Sequence, residues 1–494
     1  MKIAVIGSGF GGLASAVRLQ KLGFDVTLYE KRDKLGGRAY VYEKEGYKFD
    51  GGPTVITAPW LFNEIFEEAG KNPKDYYNLI PVEPFYKIFF NDGSSFNYNG
   101  NTENIINEIN KFSPEDVAGY KKFIDTTKDI FETGFKLIDK PFHNPVEMMK
   151  ILPELVRLRS DKSVYQYVSK YIKNDKLRQV FSFHSLLIGG NPFQSTNIYT
   201  LIHYLEKKWG VWYAEGGTGS LVNALAELFK ELGGKILLNT EIDEILINDS
   251  EKKNKVKGIR LKTGDIFEYD IIVSNSDVAF TYKNMINSKY RKKYTDAKIE
   301  KMKYSMSLFV YYFGTSKKYD NIPHHSIILG ERYRELLDDI FNRHILADDF
   351  SLYLHRPTAT DNSMAPKGCD SFYVLSPVPH LKSGTDWNKV SVEYKNKIIN
   401  HLEKYYLPEL SKNITVEHYI DPLHFRDELN SHLGSAFSVE PILTQSAYLR
   451  PHNKSEDIEN LYFTGAGTHP GAGLPGVLSS AKIVEKIILQ DQKL

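Results

Sequence analysis

Residues 3–12 read IAVIGSGFGG, a short apolar run that leads into a glycine-rich turn. A run of this length suits a buried parallel strand, and the amphipathic stretch after it suits a helix. In such a unit Gly7 permits the tight turn, Gly9 lets a pyrophosphate approach the backbone, and Gly12 allows the helix to pack closely on the strand. The positive helix end favours the phosphate charge. The stretch therefore predicts a dinucleotide-binding strand, turn and helix.

An acidic residue follows at the spacing that this interpretation requires. The second predicted strand, 26–29, ends in Glu30, eighteen residues after Gly12 (30 minus 12). A carboxylate there can accept hydrogen bonds from both ribose hydroxyls of an adenosine. NAD and FAD share this pattern, but Gly37 and Arg38 come soon afterwards, as in the extended motif of FAD proteins, where they resemble a second diphosphate contact. The pattern favours FAD.

The C-terminal end adds a second helix start. Residues 461–467 read LYFTGAG, which predicts a buried strand entering a turn, and residues 473–477 open a last helix. In FAD proteins of this architecture, that helix points its positive end at the flavin N1 and C2 carbonyl region. The residues expected to bind the cofactor are Gly7, Gly9, Gly12, Glu30, Gly37, Arg38, Ile242, Gly465, Gly467, Gly476 and Val477.

The middle of the chain returns to the same sheet. A helix is predicted after residues 216–220, followed by strands at 235–238, 242–247 and 271–273. The predicted fold class is α/β, with a discontinuous, glutathione-reductase-like Rossmann-type FAD domain and an inserted α+β substrate domain. The FAD domain is assigned 1–80, 212–290 and 456–494. The substrate domain is assigned 81–211 and 291–455, with 115–175 a helical lid or membrane-contact region, so the lid is expected to face the membrane.

Composition limits the partners and the compartment. The 494 residues carry 63 basic and 62 acidic side chains, a formal net charge of +1, so no positive field favours nucleic acid. The single cysteine, Cys369, excludes an internal disulfide and fits a reducing compartment. We see no secretion signal and no run of about 18 apolar residues. The expectation is a peripheral (monotopic) protein on the cytoplasmic side of a membrane.

Residues 145–159 mix apolar with basic side chains, as an interfacial helix does, although a lid packed on its own domain fits equally. Pro153 predicts that this helix is split into two shorter pieces. Seven aromatic residues in or beside the inserted segments fit either an apolar tunnel or ordinary core packing: Phe181, Phe183, Tyr199, Tyr204, Trp209, Trp212 and Tyr213.

Catalytic residues are not identified by any motif. The pair His324-His325 has no companion at metal-ligand spacing, so no metal is expected. His184, His203 and His469 are interpreted as core or supporting residues. Glu440 and Asp50 are candidates for a proton acceptor, but each is equally explained as structural.

Several longer stretches carry a family resemblance. They are DGGPTVIT at 50–57, FSFHSLLIGGNP at 181–192, GSAFSVEP at 434–441 and GAGTHPGAG at 465–473. From Met1 to about Leu489 the chain resembles the bacterial-type phytoene desaturases, and it looks most like the lycopene-forming members.

The resemblance implies successive FAD-dependent desaturations of phytoene to lycopene through partly desaturated carotenes, at a membrane surface, with oxygen or a quinone as electron acceptor. Three alternatives stay open: a C30 diapophytoene desaturase, a flavin-dependent carotene isomerase, and, from another class, a non-catalytic prenyl-protein escort that keeps the fold without using flavin.

Overall fold

The computed structural model of the chain describes residues 1–136, 138–248 and 253–493. Its strands are β1 Lys2–Ile6, β2 Asp25–Tyr29, β3 Val41–Lys44, β4 Tyr47–Asp50, β5 Leu79–Pro81, β6 Tyr86–Phe89, β7 Ser95–Tyr98, β8 Trp212–Ala214, β9 Lys235–Leu237, β10 Ile242–Asn248, β11 Lys255–Leu261, β12 Ile266–Glu268, β13 Ile271–Ser274, β14 Ser307–Thr315, β15 His325–Ile328, β16 Leu352–His355, β17 Asp370–Val378, β18 Ile414–Ile420 and β19 Leu461–Phe463.

The α-helices alternate with these strands and cover them. They are α1 Phe10–Lys21, α2 Trp60–Glu68, α3 Thr102–Asn110, α4 Val117–Phe135, α5 Pro145–Arg157, α6 Val164–Ser169, α7 Asp175–Val180, α8 Leu201–Trp209, α9 Thr218–Glu231, α10 Val278–Phe280, α11 Asp296–Lys301, α12 Tyr333–Asp338, α13 Trp387–Tyr405, α14 Leu410–Asn413, α15 Pro422–Asp427 and α16 Leu474–Gln492.

The first apolar run of the sequence forms the middle of a parallel sheet with the order β19-β13-β1-β2-β9. Both faces of β1 are buried: Ile3 and Val5 pack in the core that contains α1, α9 and α16, whereas Ala4 and Ile6 pack on the opposite face. Burial on both faces explains why this strand is apolar throughout rather than alternating. The sheet's carboxyl edge is where such folds bind ligands.

The second sheet comes from the inserted segments and has the order β18-β14-β17-β16-β15-β6-β7. Its pairs are antiparallel except for β15 and β6. Along β14, Phe309 and Tyr311 pack with α13 on one face, whereas Leu308 and Val310 face the largest core on the other. This two-residue alternation is typical of a sheet that is covered on both sides.

The predicted discontinuity of the chain is visible in these two sheets. The strands of the parallel sheet come from residues 2–29, 235–274 and 461–463, and those of the second sheet from 86–98 and 307–420. All of them fall inside the segments assigned to the two domains. The boundaries themselves stay predictions.

The prediction that Pro153 splits its helix is wrong. α5 runs without interruption from Pro145 to Arg157, and the side chain of Asn144 caps it by accepting from the N–H of Val146 at 2.9 Å. Proline removes the hydrogen bond to the carbonyl of Met149, four residues earlier. Because the described α5 has no buried residue, water can reach that carbonyl, and the helix tolerates the proline.

Candidate active site

A cavity of about 450 Å³ starts at the carboxyl edge of the parallel sheet. It continues between the second sheet on one side and the 183–188 turn and α8 on the other. Its nucleotide end is lined by Gly7, Gly9, Glu30, Arg38 and Ile242, together with their neighbours. Its apolar end is lined mainly by aliphatic side chains: Leu186, Leu187, Ile202, Leu205, Met306, Leu308, Val310, Ile327, Leu329, Leu352 and Leu375.

The glycines of the nucleotide end are required by close backbone contacts. Gly7 has a φ of +91°, and a Cβ on Gly12 would lie 2.0 Å from the carbonyl oxygen of Gly7. A Cβ on Gly9 would lie 2.8 Å from Nδ2 of Asn275, which follows β13. α1 begins directly after Gly9, so the free N–H groups of its first turn face the cavity. Gly12 itself does not line the cavity; it allows α1 to approach β1.

Glu30 is buried at the end of β2. One carboxylate oxygen accepts hydrogen bonds from the backbone N–H of Ser8, at 3.0 Å, and from the Ser8 hydroxyl. The other accepts from the N–H of Arg32 at 3.0 Å. A carboxylate has about four acceptor positions, and three are used by these bonds, so capacity remains for one hydroxyl of a ribose.

A second glycine loop packs against the first. The N–H of Gly36 donates to Ser8 Oγ at 3.1 Å, and a Cβ on Gly37 would lie 3.3 Å from Cα of Gly9. Arg38 lines the cavity and donates one bond to the hydroxyl of Ser431 at 2.8 Å. Its burial lowers the pKa of the guanidinium, which stays charged because that pKa begins so high. The remaining donors are free to bind a diphosphate.

The start of α16 forms the middle of the cavity wall. Gly465, Gly476 and Val477 line the cavity, and a Cβ on Gly476 would lie 2.5 Å from the carbonyl oxygen of Gly471. Gly467 does not line it, because its Cα is packed against Val278. The positive end of α16 therefore faces the region between the two ends of the cavity.

Sequence reasoning missed the residue that holds this loop. Arg450 is fully buried, and its guanidinium donates to the carbonyl oxygens of Val439, Gln445, Ala466 and Thr468 at 2.7–3.3 Å. A buried cation needs such partners to compensate its lost hydration. No motif marks Arg450. It joins Val439 to the loop that contains Ala466 and Thr468, and these segments are too far apart in sequence for a local pattern to relate them.

The aromatic residues are mostly core rather than tunnel. Of the seven singled out, all within the described part of the chain, Phe183 and Tyr199 line the cavity and the other five do not. Phe181, for example, is fully buried and stacks near Tyr120 with ring centroids 5.3 Å apart. Besides these two aromatic residues, the cavity is lined by many leucine, isoleucine, valine and methionine side chains, which the aromatic pattern could not indicate.

A buried carboxylate also lines the cavity. Glu206, on α8, lines the cavity, accepts a bond from the Tyr86 hydroxyl at 2.7 Å, and lies 3.1 Å from Nε2 of His184. Burial raises the pKa of Glu206 to about 7 and lowers the pKa values of His184 and His203 to about 3. His184 contacts this carboxylate and packs against His203, so both histidines lie in the buried surroundings of Glu206. Their supporting role stays a prediction.

The two carboxylates singled out from the sequence lie outside the cavity wall. Asp50 is buried, accepts from the N–H of Thr218 at 2.7 Å, and has its pKa raised to about 7 by burial. Burial likewise raises the pKa of Glu440 to about 7. Among the described residues that line the cavity, neither is included, whereas Glu206 is.

Comparison with known proteins identifies the family to which this site belongs. A family model described as flavin containing amine oxidoreductase matches residues 10–484. The chain belongs to this family. The predicted FAD cofactor, the assignment as an FAD-dependent oxidoreductase and the predicted fold class are confirmed. The residues present fit FAD: glycine backbones for the diphosphate, Glu30 for the ribose and the start of α16 for the flavin ring.

Two curated relatives match along their whole length. A lycopene-forming phytoene desaturase from Pseudescherichia vulneris is 48% identical over 492 residues, covering 99% of each chain. A second, from Pantoea ananas, is 47% identical over 489 residues with the same coverage. Among solved structures, an oxidoreductase from Methanosarcina mazei superposes with a TM-score of 0.67 at 18% identity, covering 98% of this chain and all of that one. This last likeness shows the fold.

Proposed function

We propose that this protein desaturates phytoene to lycopene in successive two-electron steps, through partly desaturated carotenes. The observation that carries the proposal is a single cavity in which a dinucleotide cradle opens directly into an aliphatic slot. A hydrocarbon substrate offers no hydrogen bonds, so shape and dryness must position it. The names of the two relatives at 47–48% identity support phytoene as that hydrocarbon.

Each step removes two hydrogens from an allylic CH2–CH2 unit, one with its electron pair and one as a proton. FAD, when bound, accepts the electron pair. The aliphatic walls hold the chain in register and exclude water, while the conjugated polyene spreads the positive charge that develops. Glu206 lines the cavity and is the proton acceptor that this proposal assigns; burial raises its pKa to about 7, so the deprotonated form that accepts a proton prevails above that pH.

The product test uses purified protein with FAD and phytoene in liposomes, followed by chromatography of the pigments. The reactions are run in parallel, one with oxygen and one without oxygen but with a quinone, because these are the two candidates for the final acceptor. Lycopene in one of them supports the proposal. If phytoene is returned unchanged while FAD stays bound, the proposal fails, and the same assay with the C30 analogue or a cis-carotene tests the alternatives.

We further propose that the protein docks on a membrane through α5. Met149, Leu152 and Val156 are 66%, 52% and 64% exposed on this helix, and Leu449 beside it is 53% exposed. Such a face suits the acyl boundary of a bilayer. Phe135 and Ile138, on the segment that leads to α5, line the cavity, so a lipid-dissolved substrate could enter there. Among the described residues no helix combines the length and apolar character needed to cross a bilayer.

Sedimentation with vesicles tests the docking. The double variant Met149→Glu, Val156→Glu should lose binding to vesicles and activity on liposome-borne phytoene, while its FAD content stays normal. Val392→Glu is the matched control, since Val392 is 55% exposed on α13, far from this surface in sequence. Equal vesicle binding by the double variant and the control would contradict docking through α5.

A further inference from the structure

Two adjacent histidines, His324 and His325, meet a third one, distant in sequence, at the second sheet. His325 is the first residue of β15 and lies directly opposite His355, the last residue of β16, in the antiparallel register; His324 precedes β15. All three are buried, with exposures of 0–4%. One ring nitrogen of each lies within 4.8 Å of those of the other two. The companion that spacing did not reveal is therefore His355, thirty residues beyond His325 (355 minus 325).

Each of these rings keeps at least one nitrogen that makes no hydrogen bond within the described residues. Nδ1 of His324 bonds the Thr360 hydroxyl at 2.6 Å, and Nδ1 of His325 bonds the Tyr353 hydroxyl at 2.7 Å. Among the described residues, Nε2 of both rings and both nitrogens of His355 have no hydrogen-bond partner. Metal-binding histidines commonly hold their second nitrogen in this way, which fixes the tautomer and orients the ring.

A carboxylate lies beside one of the three histidines. Oδ2 of Asp50 lies 3.8 Å from Nε2 of His355 and has no hydrogen-bond partner within the described chain, whereas Oδ1 is used by Thr218. Asp50 is 1% exposed. A Cβ on Gly217 would lie 2.6 Å from Oδ1, so the carboxylate is held from behind by close packing. Unpaired buried polar atoms cost several kcal/mol in general, so the free nitrogens of the three rings and the neighbouring Asp50 oxygen call for a partner.

The charge nearby does not forbid a cation. Arg356 follows His355, but its guanidinium is paired with Asp370 and with Asp320, each at 2.9 Å. The ring centroids of the three histidines are 4.4, 4.8 and 5.4 Å apart. Three imidazoles around one tetrahedral zinc, with bonds of about 2.0–2.1 Å, have centroids roughly 5 Å apart.

We propose that His324, His325, His355 and Asp50 bind one divalent transition-metal ion, for which zinc is the best match. Three imidazoles and a carboxylate are the ligand types that tetrahedral zinc takes, and the buried position leaves no open coordination site for water. The ion would be structural. It would tie the end of β4 to β15 and β16, and it would fix Tyr353, which lines the cavity and also bonds Thr54 at 3.0 Å.

The experiment measures metal in the protein after removal of any affinity tag, by mass spectrometry of the holoenzyme. We expect about one zinc per chain in the wild type and below about 0.1 in His355→Asn. His401→Asn is the matched control, because His401 lies on α13 against Phe350 and Tyr405 and should keep the metal. Removal of the ion with a chelator should lower the melting temperature of the wild type and of the control.

A second measurement covers the case in which His355→Asn does not fold. Wild-type protein is stripped with a chelator and titrated with Co²⁺, and d–d bands at wavelengths beyond the flavin absorption should grow to saturation at one equivalent and disappear on adding Zn²⁺. If the purified wild type contains no metal and neither Zn²⁺ nor Co²⁺ binds to the stripped protein, the proposal is overturned. Flavin content and desaturation are measured separately, so their outcome does not decide this one.

Discussion

The two ends of the cavity are built in different ways. The nucleotide end is made mainly of backbone. Gly7, Gly9 and Gly37 bring three loop segments within van der Waals distance, and Glu30 and Arg38 add side chains. The apolar end is made of side chains from the 183–188 turn, from α8 and from β14 to β17. A backbone cradle fails when one atom is added to it, whereas a distributed apolar wall loses its shape gradually.

The largest effect is expected where that cradle is tightest. Gly12→Val places side-chain atoms where a Cβ alone would already lie 2.0 Å from the Gly7 carbonyl oxygen, and backbone cannot yield as a side chain can. We expect little folded protein and no bound flavin, measured by soluble yield and by the flavin-to-protein absorbance ratio. In the control Gly134→Ala, the nearest atom is a flexible end of Leu201 at 3.1 Å. Normal flavin content in Gly12→Val would contradict this account of the cradle.

Bulk added to the apolar end should separate binding of the cofactor from turnover. Leu187 lines the cavity and is only partly buried, so Leu187→Trp extends into free space rather than into the core. We expect normal FAD content and a loss of about 100-fold in kcat/KM, because a misplaced substrate is not held for reaction. Leu187→Met is the conservative control. Loss of flavin together with activity would mean that the two ends are not separable.

Removal of the ribose acceptor should have a smaller effect on the cofactor. Glu30→Ala deletes hydrogen bonds to a charged group, worth about 2 kcal/mol, which is roughly 30-fold in the Kd of FAD. Titration of the flavin-free protein with FAD measures it. Glu67→Ala removes an equal charge from an exposed position on α2 and should leave the Kd unchanged. An unaltered Kd in Glu30→Ala would remove Glu30 from the predicted site.

The last expected effect is on folding rather than on flavin or turnover, and it is a pH dependence of stability. Burial raises the pKa of Glu206 from 4.5 to about 7, so between these values the native state holds a proton that the unfolded chain has released. Stability therefore falls as pH rises through this window, and Glu206→Gln should remove that fall, gaining on the wild type by up to about 3 kcal/mol at the top of the window. Denaturant unfolding at several pH values measures the difference in unfolding free energy between Glu206→Gln and the wild type. The same difference for the control Glu67→Gln should not change with pH.

The other titratable groups around Glu206 do not produce the same fall of stability with rising pH. Tyr86 and Tyr98 have pKa values raised well above 10, so they do not titrate in the window. His184 and His203 have pKa values lowered to about 3, so they destabilise the fold as pH falls below 6.5, which is the opposite sign. They are present in both proteins and largely cancel in the comparison. A wild type that gains stability from pH 4.5 to 7 relative to Glu206→Gln would contradict the assignment.

The same contrast explains what could be predicted from the sequence. The cradle glycines and Glu30 lie within one continuous strand, turn, helix and strand, so spacing alone brings them together. Arg450, Glu206 and His355 reach their partners through strand pairing and loop packing across long sequence separations, and no local pattern records that. Pro153 misled because its cost depends on whether the helix is exposed. The cofactor-binding residues themselves stay predictions until the variants above are measured.

The most direct test of the account is a single-turnover reaction without oxygen or quinone. Purified holoprotein is mixed with liposome-borne phytoene, while the visible absorbance of the flavin and the carotene products are followed together. We predict that the absorbance falls and that one two-electron desaturation product forms for each flavin. Unchanged flavin absorbance, with phytoene recovered intact from protein that retains its FAD, would contradict the central claim. That claim is that a flavin bound at the nucleotide end oxidises a carotene held in the apolar end.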